Sequence, residues 1–130
     1  MKISTYPLYE VKLYLGSVEW DGISFSKADL MSYTGEFQDG YKGDIIPVRI
    51  TDTTFISGID YDENGWEVAA ISYPKTNHSH DQTLEFMLAL GEYLLRVFFQ
   101  SRICVLDCQP NLTDNVYMLE SLENQVDSSG

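Results

Sequence analysis

The chain has 130 residues, 44% of them hydrophobic, enough for one domain with its own core, and no apolar run approaches the ~18 residues of a membrane-spanning helix. Its 20 acidic residues stand against 8 basic ones, for a formal net charge of −12. Such a surface repels nucleic-acid phosphates and anionic lipid and attracts basic protein surfaces, so direct nucleic-acid or membrane binding is not expected.

The first predicted element is a strand over Tyr9 to Leu15, where Tyr9, Val11, Leu13 and Leu15 alternate with Glu10, Lys12 and Tyr14. Gly16 ends it, and a turn-rich connection holding Trp20 follows. Ser26 then suits a helix N-cap with Asp29 three residues on, and Leu30, Tyr33 and Phe37 carry helical spacing to about Gln38. A second strand is predicted over Ile45 to Thr51; Pro47 lacks a ladder donor and places it at a sheet edge or beside a bulge. Asp52 to Tyr61 continues extended, with a bulge expected near Asp52-Thr53. Asp62-Glu63-Asn64-Gly65 reads as a hairpin turn and Trp66 to Tyr73 as the returning strand.

After a polar connection comes the longest apolar-periodic run, DQTLEFMLALGEYLLRVFFQ from Asp81 to Gln100. Leu84, Met87, Leu88, Leu94, Leu95 and Phe98 form one stripe, and Phe86, Leu90, Tyr93 and Val97 a second. A helix so apolar lies across a sheet and meets a second helix, the tail or another subunit. Arg102 to Cys108 is the last clear strand, and it carries both cysteines. Four strand residues separate their Cα atoms by ~13 Å, too far for a disulfide between them, so they read as buried thiols. From Thr113 to Asn124 the pattern fits either a short amphipathic helix or a further strand, and 125–130 should be a mobile tail.

The order strand, helix, strand, strand, helix, strand is the βαββαβ arrangement of the ferredoxin-like fold. The expectation is an α+β single domain over 1–124, with a C-terminal extension. Its four-stranded antiparallel sheet has the order 4-1-3-2, and both helices lie on one face. The run VRITDTTFISGIDYDENGWEVAAISYP, followed by a long helix and SRICVLD, resembles small ferredoxin-like accessory proteins of phages and mobile elements. In size and charge the chain also resembles acidic anti-defence proteins. That resemblance implies an inhibitor that occupies the basic nucleic-acid-binding surface of a host protein, such as an anti-CRISPR protein does, in the host cytoplasm.

Several constellations bear on chemistry. Asp60-x-Asp62-x-Asn64-Gly65 matches half of a calcium-binding loop, but Ile71 stands where the bidentate glutamate is required. His78, His80 and Asp81 lie close together before the long helix. They are the candidate metal ligands of an alternative reading, a small metal-dependent enzyme or sensor, although a structural zinc site wants a fourth ligand. No nucleophile elbow, P-loop or dinucleotide fingerprint occurs. The leading expectation is therefore a non-enzymatic acidic binder of a basic partner protein, without a cofactor. Asp60, Asp62, Glu63 and Glu67 would supply the charge, and Tyr61 and Trp66 the aromatic anchors. The apolar surface left by the second helical stripe and the uncovered sheet face further suggests a homodimer.

Overall fold

In the computed structural model, β1 (Glu10–Gly16) is the strand from which the layers are built. The residues described are 1–3, 5, 9–19, 22–71, 78–108 and 115–121. The expectations for Trp20, Tyr73 and the tail beyond Ser121 lie outside them. The alternation of β1 is complete: Val11, Leu13 and Leu15 are buried, and Glu10, Lys12 and Tyr14 face the other way.

The element order is β1, α1 (Lys27–Gly40), β2 (Arg49–Ile56), β3 (Asp62–Ile71), α2 (His80–Val97), β4 (Arg102–Cys108) and β5 (Asn115–Glu120). All adjacent strands pair antiparallel, in the order β2-β3-β1-β4-β5. The expected four-stranded sheet is thus corrected to five strands. The ambiguous segment after Thr113 contains β5, which pairs Leu119 with Ile103 and Met118 with Cys104, so β4 is not an edge. β2 is an edge strand, and Pro47 lies just before it.

A second correction concerns the hairpin. Asp62 to Gly65 do not turn; they pair in step with Ile56 to Thr53, and no bulge interrupts Asp52-Thr53. The chain reverses at 57–61 instead, where Ser57 N–H donates to the Tyr61 carbonyl at 3.1 Å and Gly58 supplies a φ of 86°. Gly65 is there for space, not for φ: a Cβ on it would collide with the Leu15 carbonyl oxygen and the Phe55 ring.

Both helices start with a capping box. The Ser26 hydroxyl accepts from Asp29 N–H at 3.1 Å and the Asp29 carboxylate returns the bond to Ser26 N–H; Ser79 and Gln82 do the same at α2. The first stripe of α2 buries Met87, Leu94 and Leu95, continued by Phe98 beyond the helix, and the second buries Phe86 and Leu90. They join Val11, Leu13, Val68, Ile103 and Val105 in one core. α1 supplies the rest of the cover, since Phe37 meets Phe86 and Tyr93, and Tyr33 meets Tyr93 and Phe98. β5 also reaches α2: a Cβ on Gly91 would lie 2.9 Å from Leu119 Cδ1. Cys104 and Cys108 are half-buried on the strand face away from the core residues Ile103 and Val105, so the expectation of buried thiols is corrected.

Candidate functional site on the open sheet face

The side chains that alternate away from the helices gather on one face. β1 contributes Glu10, Lys12 and Tyr14, and the register sets them beside Ala69 and Glu67 of β3; Arg49, Thr51, Thr53 and Phe55 of β2 flank these. Arg49 Nη2 lies 2.6 Å from Glu10 Oε2, and Lys12 Nζ lies 3.4 Å from Glu10 Oε1 and 3.7 Å from Glu67 Oε1. The Glu10, Lys12 and Glu67 side chains are only 22–25% exposed, so water screens them less than it would surface charges.

The two carboxylates are served unequally. Burial would raise the Glu10 carboxyl, but the Arg49 hydrogen bond and the charges of Arg49 and Lys12 outweigh it and hold the group below its ordinary value of 4.5. Burial would likewise lower Lys12, yet Glu67, Tyr14 and Glu10 together hold it above 10.5. Among the described residues Glu67 has only the longer, shared contact to Lys12. It is a largely desolvated carboxylate in mid-sheet, paired at 3.7 Å to an ammonium that lies nearer Glu10. Tyr14 pairs with Glu67 in register, and its ring meets Phe55 edge-on at 6.2 Å between centroids. A carboxylate beside Tyr14, whose ring in turn meets Phe55, is a combination suited to a soft organic cation.

Because the folded Glu10 pKa lies below its unfolded value, its contribution to stability is present above pH ~4.5 and is lost as pH falls through the folded pKa. A Glu10→Gln, Arg49→Met double-mutant cycle is expected to give a coupling of about 0.5–1 kcal/mol at neutral pH. In urea unfolding that coupling should vanish on acidification.

At the hairpin end of the same face, Tyr61 O–H donates to Glu63 Oε1 at 2.5 Å and Val18 N–H donates to Glu63 Oε2 at 3.3 Å. The Glu63 hydrogen bond, with smaller help from burial and nearby carboxylates, raises the Tyr61 phenol above its ordinary value of 10. The Glu63 carboxylate occupies the space a side chain at Gly16 would need. Of the residues singled out from sequence, Glu63 and Glu67 therefore share this face, while Asp60, Tyr61 and Asp62 are exposed around the reversal. Trp66 is not an exposed anchor. It points to the core at 7% exposure, with its ring 5.3 Å from that of Phe25. Sequence reasoning missed Lys12, Tyr14, Arg49 and Phe55 as members of the site. Period-2 alternation set Lys12 and Tyr14 on one face, but bringing them to Glu67 needs the strand register.

The candidate metal ligands separate. His78 Nε2 lies 3.1 Å from the Asp44 carbonyl oxygen, whereas His80 Nε2 lies 2.6 Å from Oδ1 of Asp107, a carboxylate 1% exposed at the end of β4. The Tyr9 ring packs 5.0 Å from His80, and its hydroxyl donates to the His78 carbonyl at 3.0 Å. Asp81 is fully exposed, 4.0 Å from the other His80 nitrogen. Among the described residues no three His, Cys, Asp or Glu side chains converge as a metal site. No described helix is long and apolar enough to cross a membrane.

No family model matches the sequence, and no curated protein matches it. Solved structures do. A phage SAM lyase in its apo state superposes with a TM-score of 0.77 at 15% identity, covering 94% of this chain and 96% of that one. A phage SAM lyase in complex with S-methyl-5'-thioadenosine superposes with a TM-score of 0.67 at 16% identity, covering 93% and 95%. The phage proteins this chain is similar to are thus lyases, not inhibitors, and the expectation of a non-enzymatic acidic binder is withdrawn on that finding. At these identities the likeness is one of fold: the chain has the α+β architecture, two helices on a five-stranded antiparallel sheet, in common with phage SAM lyases.

Proposed function

We propose that this protein is a SAM-cleaving lyase and that the open sheet face carries its substrate. The observation that carries the reading is the end-to-end likeness to phage SAM lyase chains, one of them holding S-methyl-5'-thioadenosine. The charge fits as well. SAM carries a sulfonium and an ammonium against a single carboxylate, so a chain of net charge −12 attracts it at long range.

The chemistry follows from the atoms. Release of S-methyl-5'-thioadenosine breaks the bond between sulfur and Cγ of the amino-acid chain, and the electron pair leaves with sulfur as a neutral thioether. A lyase adds no water, so Cγ takes its new bond from within the substrate. The substrate's own carboxylate oxygen attacks Cγ and closes a five-membered lactone. No proton moves in that step, so no general base or acid is required. Positive and negative charge cancel as the bond forms, which favours a site that removes the reacting groups from water and holds them in line.

This assigns roles on the open face. Glu67 pairs with the substrate's ammonium, a charge that the reaction leaves intact, and so anchors without opposing bond breaking. Tyr14 and Phe55 face the sulfonium. Lys12 stays bracketed by Glu10 and Glu67, which keeps its charge from quenching the attacking carboxylate. The test is incubation of the purified protein with SAM and chromatography of the products. S-methyl-5'-thioadenosine should appear in step with SAM loss; intact SAM after prolonged incubation at high enzyme concentration would reject the reading.

A further inference from the structure

Across the open face the register lines up one row of side chains, one from each strand: Thr51, Glu67, Tyr14, Cys104 and Met118. Alternation turns Glu67, Tyr14 and Cys104 away from the helices. The Cys104 thiol donates to Met118 Sδ at 3.7 Å, so Met118 shares their face. We infer that SAM lies along this row, across the strands, with its adenine on Met118. The inference rests on the lyase reading and adds to it the path of the substrate and a residue that holds the base.

Length is the first argument. Neighbouring strands lie about 4.8 Å apart, which sets Tyr14, Cys104 and Met118 about 5, 10 and 14 Å from Glu67 along the row. In extended SAM, ordinary bond lengths put the sulfur about 5 Å from the ammonium and the centre of the adenine about 12–13 Å from it. With the ammonium on Glu67, the sulfonium reaches Tyr14, the ribose Cys104 and the base Met118.

The order of chemical character is the second argument. The row runs from a largely desolvated carboxylate through an aromatic ring to two soft sulfur groups. The substrate runs in the same order, from ammonium through sulfonium to a purine with an apolar face. Met118 is 50% exposed, so a base laid on it removes apolar surface from water, and a thioether against an aromatic ring is a favourable contact.

The other directions are closed. Toward β2 the row ends at Thr51 on the edge strand, which leaves no described strand beneath a base. Along β1 the neighbours of Tyr14 on this face are Lys12, whose ammonium repels a sulfonium, and Gly16, whose side-chain space the Glu63 carboxylate fills.

S-methyl-5'-thioadenosine keeps the sulfur, ribose and base and lacks the ammonium, so its binding, followed by calorimetry, tests the path. Met118→Ala should weaken it about tenfold, and Glu67→Gln should change it by less than about twofold. At about ten times its Kd it should slow iodoacetamide alkylation of Cys104 about tenfold. Alkylation of Cys108, which pairs with Glu10 farther along β4, should be unchanged. No binding at millimolar concentration, native affinity in Met118→Ala, or unprotected Cys104 in the saturated protein would each overturn the path. SAM turnover alongside any of these results leaves the lyase reading standing; protection of Cys104 without turnover keeps the path and removes that reading.

Discussion

Glu67→Gln is expected to lower kcat/KM for SAM cleavage by about a hundredfold, the loss of a charge-assisted contact of about 3 kcal/mol in a partly dry site. The substitution keeps the shape of the side chain, and Lys12 retains Glu10 at 3.4 Å, so the fold should hold. An ammonium anchored equally in ground and transition states would raise KM and leave kcat alone. If Glu67 also fixes the angle between the carboxylate oxygen and Cγ, kcat falls too. Glu63→Gln is the comparison. Glu63 is already satisfied by Tyr61 and Val18, so its loss should cost activity less. Equal activity of Glu67→Gln and the native protein would remove Glu67 from the site.

Gly65→Val should cost roughly 3 kcal/mol or more of stability and lower Tm by about 10 °C. The added Cβ meets the Leu15 carbonyl oxygen, which is backbone of the central strand and cannot rotate away, and the ring of Phe55. Relief would have to come from breaking the pairing of Gly16 with Gly65 or of Thr53 with Gly65. Gly35→Ala provides the contrast. It lies inside α1 with nothing within 4 Å of a new Cβ, so the same thermal measurement should find a gain of ~0.5–1 kcal/mol from helix propensity. A tolerated Gly65→Val would contradict the strand register around that residue.

Gly65 also marks where sequence reasoning stopped. Asn64-Gly65 has the composition of a two-residue turn, and local chemistry alone favours that reading. Pairing of Thr53 to Ile56 with Asp62 to Gly65 is a tertiary choice that moves the reversal to Gly58, and no local signal announces it. Other elements were legible because their signals are local. The Ser26 cap, the period-2 alternation of β1 and the two stripes of α2 each specify a face without reference to the rest of the chain. β5 was ambiguous because six residues with mixed spacing fit a strand or a helix turn equally, and pairing with β4 decides between them.

The candidate site was less legible than the fold. Glu67 and Glu63 stood out as members of an acidic run, and the run suggested a basic protein partner. Strand register instead places Glu67 beside Tyr14 and Lys12, residues far away in sequence. Charge excess specifies attraction to cations in general and does not distinguish a basic protein from a small sulfonium. His78 and His80 looked like one ligand pair from their spacing, yet as Ncap-preceding and first helical residues of α2 they diverge to Asp44 and Asp107.

The central claim, that the chain cleaves SAM with the substrate's own carboxylate as nucleophile, is tested most directly by running the reaction in water enriched in oxygen-18 and analysing the four-carbon product by mass spectrometry at early times. The account predicts homoserine lactone without solvent oxygen, in equal amount with S-methyl-5'-thioadenosine. Homoserine carrying solvent oxygen as the first product, or SAM left uncleaved, would contradict it.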